Sequence, residues 1–541
     1  MLQAFLGLDF PLDHSYNIAM DSEDRKLLYQ KRANGSTYVY EVLDHHWDKE
    51  KKQARTKQVY VGKLDPATGQ IIPKKRLGDQ AGAAMNEVVT ARTTISGPAL
   101  VLKQADRSIG LSKHLKRACP HRWKEILSLA WYLLGTNAAL SHAETWCESH
   151  EVPSPKRFSS QRITELLDTI TEDDRQTFFD IWGKSIASRD YLCYDITSIS
   201  SYAEHNEYIR WGYNRDKEAL PQLNLGMVYG QQSMLPVLYR ETAGSISDVS
   251  TLKHVLDQFL KLNYPKLHLV MDRGFYSKAN LDALAEGGQH FTIGVPIHLK
   301  WIQAVIDEDR DLIDGTVGYH ERDGEVIYAH TRLRSWGDSK RRCYLHLYFD
   351  PEKMAKDRIQ FDKNLAMYRH ELLEDRRVAE HEEMYTKFFI WKTTPKRGLQ
   401  VEFNHDGVQA GRKKYVGFRA ILSTKFKDPL EALTVYREKD VVEKCFDDLK
   451  NELDCSRLRV HTSQRMKNRL FIQFIALILL STIRQTMKSK LSKSNYSVRS
   501  LLWELESLTT IHYSGKYKNK LSEITKAQRA ILEAFEVQIP T

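Results

Sequence analysis

The order of predicted elements between residues 191 and 297 constrains the fold more than any other feature of this 541-residue chain. β-Branched and aromatic residues predict three strands joined by hairpins, in YLCYDITSIS, QLNLGMVYG and MLPVLYRE. A helix capped by Ser247 or Asp248 follows, and then come the buried strand KLHLVM, a helix capped by Ser277 and the strand HFTIGVPI. This order predicts one sheet flanked by helices.

The same order begins a ribonuclease-H-like sheet, so we predict an α/β fold with a mixed sheet. Further strands in GEVIYAHTRLRS and RRCYLHLYFD, around a highly charged helical stretch near 351–384, indicate that a β-rich insertion interrupts the sheet. Residues 36–75 predict a small β-meander with an exposed basic loop, DKEKKQARTK. Residues 110–190 follow a helical period, which predicts a helical domain.

The charge of the chain favours a polyanionic partner. The net charge is +10 and the pI about 9.0, and clustered Lys and Arg displace the counterions of phosphates. The predicted helical domain holds one such cluster, which fits either a DNA-binding surface or ordinary surface charge. Its members are Lys113, Lys116, Arg117, Arg122 and Lys124.

Cysteine usage and hydropathy exclude several classes of protein. The six cysteines include no C-x-x-C pair, so the sequence predicts neither a zinc site nor a disulfide framework. It predicts a reduced cytosolic compartment instead. The longest apolar run, LFIQFIALILLSTI at 470–483, is too short for a membrane span and predicts a buried helix.

Two aspartates are predicted at the ends of strands. Asp195 follows YLCY, and Asp272 ends the apolar run LHLVM. A carboxylate that finishes a buried strand is costly to desolvate unless something compensates its charge. Sites in open α/β sheets also gather at the carboxyl ends of strands. Each aspartate alone fits an ordinary turn or helix cap, whereas the two together indicate a site.

A third acid is predicted on a charged helix at residues 436–454, YREKDVVEKCFDDLKNELD. At about 100° per residue, Glu443 lies where the apolar stripe meets the polar face. Asp440 and Asp447 share that polar face, so the helix offers three candidates, and a solvated surface helix is the alternative. The apolar stripe consists of Val442, Phe446, Leu449 and Leu453.

Three carboxylates within a few ångströms would repel one another unless cations compensate their charge. A pair of divalent cations about 4 Å apart can activate a water and hold the leaving oxygen of a phosphodiester. Oxygen-only ligands with open positions suit Mg²⁺. The acids are therefore predicted to hold two Mg²⁺ ions, for which Mn²⁺ is the substitute.

The chain resembles the DDE transposases of bacterial insertion sequences, in the subgroup with a β-strand insertion and the signature Y-x2-R-x3-E-x6-K. YDITSIS and MDRGFYS resemble the motifs of the first two acids, and RLRVHTSQRMKNRLFIQFIALIL resembles the helices after the third. Tyr436, Lys439, Glu443 and Lys450 match the signature, except that Lys439 stands in the Arg position. That change keeps a positive charge but loses the bidentate fork to phosphate. The resemblance covers roughly residues 190–485.

The resemblance selects Glu443 as the third acid and implies the roles of the site residues. Asp195, Asp272 and Glu443 would be the catalytic residues and the metal ligands. Three residues would bind the terminal phosphates of DNA: Tyr436, Lys439 and Lys450. The implied reaction is hydrolysis at the transposon end, after which the new 3′-hydroxyl attacks the other strand or the target DNA.

The resemblance also implies the partners and the location. The partners are transposon ends and target DNA, bound by a homodimer on paired ends, with no membrane, in the bacterial cytoplasm at the nucleoid. Relatives with the insertion stack a flipped base on an aromatic side chain. Trp336 and Trp391 are candidates, although packing is the favoured interpretation of both. His461 is interpreted as a hydrogen-bonding residue instead of a metal ligand.

Two other functions fit the same fold. One is a catalytically inactive or domesticated DNA-binding protein, and the presence of all three acids argues against it. The other is a stand-alone ribonuclease-H-like nuclease, and the insertion and the Tyr436-to-Lys450 run argue against it.

These patterns predict seven segments. Residues 1–30 lack the basic start of a signal peptide and are interpreted as a disordered leader. The others are a β-rich segment (31–105), a helical DNA-binding domain (106–188), two parts of a catalytic domain (189–297 and 428–490) separated by an insertion domain (298–427), and a C-terminal tail (491–541).

Overall fold

The computed structural model of the chain describes residues 16–20, 26–32, 35–48, 53–73, 91–187, 190–262, 264, 266–322, 324–336, 341–412, 414–492, 494–513 and 518–539. The chain divides into two compact units. The smaller unit is Met1–Ala91 with Tyr513–Tyr517, and the larger one is Arg92–His512 with Lys518–Thr541.

The smaller unit contains a five-stranded antiparallel sheet whose strands follow one another in chain order. The strands are β1 (Tyr16–Met20), β2 (Lys26–Lys31), β3 (Thr37–Asp48), β4 (Gln53–Leu64) and β5 (Ile71–Pro73). The first two strands begin inside the predicted leader 1–30, of which residues 1–15 and 21–25 lie outside the described residues. The predicted basic loop is shorter than expected, because residues 53–57 belong to β4.

The larger unit begins with a strand and a group of helices. They are β6 (Ala91–Ile95), α1 (Gly97–Ile109), α2 (Leu111–Ala118), α3 (Trp123–Thr136), α4 (Ala143–Ser149), α5 (Ser160–Thr169) and α6 (Glu172–Ala187). α3 ends where Asn137 adopts a left-handed conformation with φ of 51°, which stops the helix. Residues 126–135 of α3 are all buried, so this helix forms the core of the group.

A large mixed sheet follows. Its strands are β7 (Tyr191–Ser201), β8 (Gln222–Gly230), β9 (Pro236–Ala243), β10 (His268–Met271), β11 (His290–Val295), β12 (Tyr319–Arg322), β13 (Glu325–Trp336), β14 (Arg341–Phe349), β17 (Phe418–Ser423) and the short β18 (Arg457–Leu458). Their order is β12-β13-β14-β17-β11-β10-β7-β8-β9, and β18 pairs with β7. β10 runs parallel to β7 and β11, while the other neighbours along this order are antiparallel. The prediction of a mixed α/β sheet is confirmed.

Helices cover this sheet, as predicted. They are α7 (Asp248–Lys261), α8 (Lys278–Glu286), α9 (Lys300–Ile313), α13 (Pro429–Arg437), α14 (Val441–Glu452) and α15 (Ser463–Lys490). Two further helices, α16 (Val498–Glu504) and α17 (Lys526–Ala534), pack against α15. A small three-stranded sheet joins β6 to β19 (Thr509–Tyr513) and β20 (Lys520–Leu521). Ser277 caps α8 by accepting a hydrogen bond from the Asn280 amide, as its position in the sequence predicts.

α15 is the central helix of the larger unit. It contains the apolar run 470–483, every residue of which is buried, so the prediction of a buried helix is confirmed. Among the described residues, α15 is the one helix long and apolar enough to cross a membrane by length and composition. Because 83% of its most apolar window is buried inside the protein, it fits the core helix of a folded domain.

The predicted insertion 298–427 contributes to the large sheet and also forms a small lobe. Strands β12, β13, β14 and β17 extend the sheet beyond β11. The lobe comprises α10 (Pro351–Leu373), α11 (Glu382–Phe388), the hairpin β15 (Phe389–Thr394) and β16 (Gly398–Phe403), and α12 (His405–Gly411). It has a hydrophobic cluster of its own, built around Leu365, Tyr385 and Phe388. Its two ends meet where the Asp350 amide donates to the Gly417 carbonyl at 2.9 Å.

Candidate active site

The site lies at a gap along one edge of β7. β10 pairs with that edge only up to Tyr194, and β18 pairs with it only at Ser200 and Ser201. No described strand pairs with the stretch between them, which begins at Asp195. The strand predicted in YLCYDITSIS is confirmed, since β7 runs to Ser201. Asp195 therefore lies within β7 and not at its end as predicted, because antiparallel pairing with β8 supports the strand on the other edge.

The register of β7 and β10 brings two acids side by side. Tyr194 pairs with Met271 in parallel register, so Asp195 and Asp272 occupy the next pair of positions. Asp272 is still extended, with φ of −73° and ψ of 164°, before a 3₁₀ turn at Arg273–Phe275. Neighbouring strands lie about 4.8 Å apart. The two carboxylates therefore open onto the same gap.

The surroundings of Asp195 oppose its ionisation. Burial raises the pKa of the Asp195 carboxyl to about 6, and the negative charge of Asp272 adds to the shift. The backbone amide of Ile196 and the positive charges of Arg215 and Lys439 act in the opposite direction but do not cancel it. A divalent cation held by the two aspartates would favour the ionised form of Asp195 and so lower its pKa again.

The raised pKa predicts how an uncharged side chain at this position changes stability. An unfolded Asp ionises near pH 3.8, whereas folded Asp195 ionises near pH 6, so the folded state loses stability as the pH rises between these values. Without divalent cations, Asp195→Asn should raise the free energy of unfolding by about 2–3 kcal/mol near pH 7 and leave it unchanged once the pH is well below 3.8. Urea unfolding with a chelator measures this. An equal change at both pH values would indicate altered packing instead.

Tyr436 holds the second acid in position. Its hydroxyl donates a hydrogen bond to Asp272 Oδ1 at 2.7 Å. Burial raises the pKa of the Tyr436 hydroxyl well above its usual range, and the charge of Asp272 contributes, so the hydroxyl keeps its proton. A glycine is needed beside this pair, because a Cβ at Gly294 would lie 2.4 Å from the Tyr436 hydroxyl oxygen. Tyr436 thus orients Asp272 toward the gap.

The predicted single helix at 436–454 is wrong. Tyr436 is in α13, which ends at Arg437, and Glu443 is in the first turn of α14. Between them, Glu438–Asp440 form a 3₁₀ turn, which winds the chain more tightly than an α-helix. The wheel that aligned Tyr436 with Glu443 therefore holds only from Val441 onward. Within α14 the predicted apolar stripe is correct, since its members are buried: Val442, Phe446, Leu449 and, just after the helix, Leu453.

Lys439 connects the third acid to the second. Partial burial lowers the pKa of Lys439, but the charges of Asp272, Asp440 and Glu443 outweigh it, and the net pKa lies above the ordinary value. The Lys439 ammonium is 3.2 Å from Asp440 Oδ1 and 3.8 Å from Glu443 Oε1. Glu443 itself is 62% exposed. The structure thus brings Asp195 and Asp272 together and leaves Glu443 across Lys439 from them.

Lys450 is paired with a loop that the sequence did not single out. Its ammonium donates to Asp216 Oδ2 at 2.6 Å, in the loop between β7 and β8. In the same loop, Arg215 forms an ion pair with Asp248 and donates to the Ser198 hydroxyl at 3.3 Å. These two loop residues lie more than 200 positions before Lys450, and no spacing or periodicity in the sequence links them.

Oxygen ligands are available for a divalent cation at the gap. Asp195 and Asp272 supply adjacent carboxylates of a kind that Mg²⁺ binds. Among the described residues, no three His, Cys, Asp or Glu side chains are gathered closely enough to form a complete metal-binding group. The aspartate pair therefore fits half of a carboxylate metal site, and Glu443 would have to turn from Lys439 to complete it.

The other residues considered from the sequence, Trp336, Trp391 and His461, make no described contact with Asp195 or Asp272. Trp336 donates to Asp282 Oδ1 at 3.1 Å and packs beside Tyr276 and Trp301. Trp391 is in the lobe, beneath the guanidinium of Arg377 at 4.7 Å. His461 is exposed between β18 and α15.

Comparisons with known proteins identify the family of the domain in which these residues lie. A family model described as a transposase DDE domain matches residues 187–479, a range that contains both aspartates and Glu443. No curated protein matches the sequence. The cryo-electron microscopy structure of a piggyBac transposase synaptic complex with hairpin DNA is 10% identical and covers 76% of this chain and 76% of its own. Its TM-score is 0.37, which does not establish a shared fold.

Proposed function

The chain belongs to the DDE transposase domain family, whose model spans more than half of it, and we propose that it cleaves the ends of an insertion sequence and joins the 3′-hydroxyl to target DNA. The observation that carries this proposal is the pair Asp195 and Asp272, adjacent in register at the open edge of β7. A pair of half-buried acids, of which Asp195 has a raised pKa, is typical of a functional site.

The order β9-β8-β7-β10-β11 supports a ribonuclease-H-like sheet as the base of this site. Its first three strands are antiparallel, and the next two run parallel to β7. This arrangement puts the end of β10 beside the middle of β7. We propose that these five strands are the catalytic core and that the strands from 319 to 423 are the insertion of the bacterial subgroup.

DDE transposase domains generally depend on divalent metal, and we propose two Mg²⁺ ions held by Asp195, Asp272 and Glu443, with Mn²⁺ as the substitute. Bound there, Mg²⁺ would supply a lowered pKa for a water and charge compensation for the scissile phosphate. Tyr436 keeps Asp272 oriented, and β8 fixes the backbone of Asp195. Lys439 pairs with Glu443 when no metal is bound, and Glu443 would leave this ion pair to become a metal ligand.

The basic residues of the signature are proposed to bind the terminal phosphates. Lys450 is only 12% exposed and already faces one carboxylate, Asp216, which a phosphate could replace. Lys439 offers one ammonium where the family signature has Arg, so it binds phosphate as a point charge. The Tyr436 hydroxyl donates a hydrogen bond to Asp272, and we propose that a phosphate oxygen approaches the same hydroxyl when DNA is bound.

A strand-cleavage assay tests the proposal. The full-length protein is incubated with Mg²⁺ and DNA that carries the genomic sequence flanking the gene. Cleavage at a defined end, followed by joining to a second DNA, is the expected result. Cleavage of any duplex or RNA–DNA hybrid without end preference would favour the nuclease, and specific binding without cleavage would favour the inactive DNA-binding protein. Dimerisation on paired ends is measured by mass photometry of the same complexes.

The affinity for DNA should fall steeply with salt. Each phosphate contact contributes about −0.9 to the slope of log affinity against log salt concentration. Lys450→Ala should make that slope shallower by about one and weaken binding of the cleaved end. Lys444→Ala is the matched control, because Lys444 is exposed on the same helix and lies outside the signature. Fluorescence anisotropy at several salt concentrations measures both, and a nearly flat plot would contradict phosphate binding.

A further inference from the structure

Two carboxylates in the loop between β7 and β8 each hold a cation of the elements around the gap. Asp216 Oδ2 accepts a hydrogen bond from Lys450 Nζ at 2.6 Å, and Glu218 Oε1 accepts one from Arg457 Nη2 at 2.8 Å. We call Asp216 and Glu218 the loop carboxylates. Carboxylate and phosphate oxygens bind the same ammonium and guanidinium groups. The loop carboxylates therefore occupy positions at which phosphates would bind.

Both cations belong to elements that border the gap. Lys450 is in the last turn of α14, whose first turn carries Glu443. Arg457 of β18 pairs with Ser200, on the edge of β7 that opens into the gap. Arg457 lies outside the family signature. Its guanidinium is 43% exposed and offers the bidentate fork that Lys439 lacks.

The two ion pairs form one cluster. Hydrogen bonds from Arg457 and from the Ser200 hydroxyl lower the pKa of the Glu218 carboxyl, and the positive charge of Lys450 contributes to the shift. Each loop carboxylate therefore lies within the field of Lys450. A phosphate that approached either cation would meet both negative charges.

The turn that carries the loop carboxylates is fixed by specific contacts. The Asp216 amide donates to Asn214 Oδ1 at 2.8 Å, and the Asn214 side chain donates to the Ser200 hydroxyl at 3.0 Å. Lys217, between the two carboxylates, has a left-handed backbone with φ of 57°, which is less favourable for a residue with a side chain than for glycine. The contacts on both sides of Lys217 hold this conformation in place.

The exposure of the pair at Lys450 suits a temporary partner. Asp216 is 42% exposed, so water competes for its charge, and an ion pair of this kind is weak. Lys450 is only 12% exposed, so its ammonium is poorly hydrated and needs an anion beside it. A carboxylate meets this need in the free protein, and a phosphate would meet it equally well.

We propose that Arg457 is a further phosphate-binding residue and that the loop carboxylates compete with DNA for Arg457 and Lys450. The inference deepens the proposed function and rests on it, because the phosphates concerned are those of a DNA end at the gap. DNA that touches only this surface would have to replace both carboxylates without other contacts and would bind weakly. A DNA end that other parts of the protein also hold would replace them. The loop carboxylates thus keep unselected DNA out of the site.

The affinity for a DNA end tests the competition, in full-length protein without divalent cations so that no strand is cut. Asp216→Asn and Glu218→Gln should each raise the affinity about three- to fivefold, because the freed cation no longer has to leave a carboxylate. A merely structural role would lower the affinity. Glu207→Gln is the matched control, since Glu207 is exposed in the same loop and lies outside both ion pairs. It should change the affinity by less than about twofold.

Double variants show whether each carboxylate acts through its own cation. In Lys450→Ala protein, Asp216→Asn should raise the affinity no more than Glu207→Gln does, because no cation is left to release. Arg457→Ala should remove the gain from Glu218→Gln in the same way.

Arg457→Ala alone tests the new phosphate contact. It should weaken binding and make the slope of log affinity against log salt concentration shallower by about one. Arg457→Lys should restore the slope but only part of the affinity, since Lys keeps the charge without the fork. Thermal melting shows that each variant is folded.

The outcomes separate this inference from the proposed function. If Asp216→Asn and Glu218→Gln bound DNA ends no more tightly than Glu207→Gln, the competition would be overturned even though the wild type cleaves its ends. An equal gain with and without Lys450 would overturn it as well, because general charge would explain the gain. An unchanged salt slope in Arg457→Ala would remove Arg457 as a phosphate-binding residue. Wild-type protein that cleaves no end, yet shows gains that depend on the two cations, would contradict the proposed function and retain the competition.

Discussion

Asp195→Asn and Asp272→Asn are each expected to lower the rate of strand cleavage by on the order of 10³-fold or more, with DNA-end binding close to wild type. A carboxylate metal ligand contributes several kcal/mol to stabilising the charge of the transition state, and each 1.36 kcal/mol is a factor of ten in rate. Binding should survive because the two acids face the gap and repel phosphates when no metal is present. Single-turnover cleavage and gel shift on the same DNA measure the two quantities.

Asp257→Asn provides the matched control for these variants. Asp257 is exposed on α7, so its substitution removes the same charge away from the gap. It should cleave at the wild-type rate. If both site variants lost DNA-end binding as completely as they lost cleavage, a structural role for the aspartates would replace the catalytic one. Raised stability of Asp195→Asn near neutral pH would argue against that outcome.

The second large effect concerns the third acid. Glu443→Gln should remove cleavage, whereas Asp440→Asn and Asp447→Asn should keep most of it. Glu443 is favoured because it follows the buried Val442 at the start of α14 and shares Lys439 with Asp272. Gln is nearly isosteric with Glu and cannot compensate a cation, so the loss should be in catalysis instead of folding. The same single-turnover assay compares the three variants.

Two neighbouring acids sharpen this test. Asp440 also forms an ion pair with Lys439, at 3.2 Å. The cleavage rate of Asp440→Asn therefore measures the effect of removing a partner of Lys439 other than Glu443. Asp448 is not a candidate, because it forms an ion pair with Arg484 of α15. Inactive Asp447→Asn together with active Glu443→Gln would mean that the third acid is assigned to the wrong position.

The elements around the site were largely predictable from local patterns. The strand QLNLGMVYG has the same bounds in the structure, because a run of buried residues ends at Gly230 and a turn. The start of α7 at Asp248 and the cap of α8 at Ser277 were predictable for the same local reason. Asp195 and Asp272 were identified from their positions after apolar runs, but their adjacency depends on strand register, which no local pattern reveals.

Two features of the site depend on interactions that the sequence does not display. The turn at Glu438–Asp440 contains no Gly or Pro, so the charged run appears continuous although the helix is broken there. The pairing of Lys450 with Asp216 joins residues from distant parts of the chain, and it exists only because β7, its loop and α14 pack together. Propensity describes a residue and its neighbours, whereas both features arise from tertiary packing.

The meeting of Asp350 and Gly417 has a consequence for how such a chain changes over time. The lobe leaves the sheet after β14 and returns to β17, its hydrogen-bonded neighbour, so its attachment points stay together whatever its length. Closing a longer connection is cheap, at about 0.6 kcal/mol for each doubling. A short turn or a larger domain could therefore connect the same two strands in place of the lobe. The strand register that aligns Asp195 with Asp272 would be unchanged.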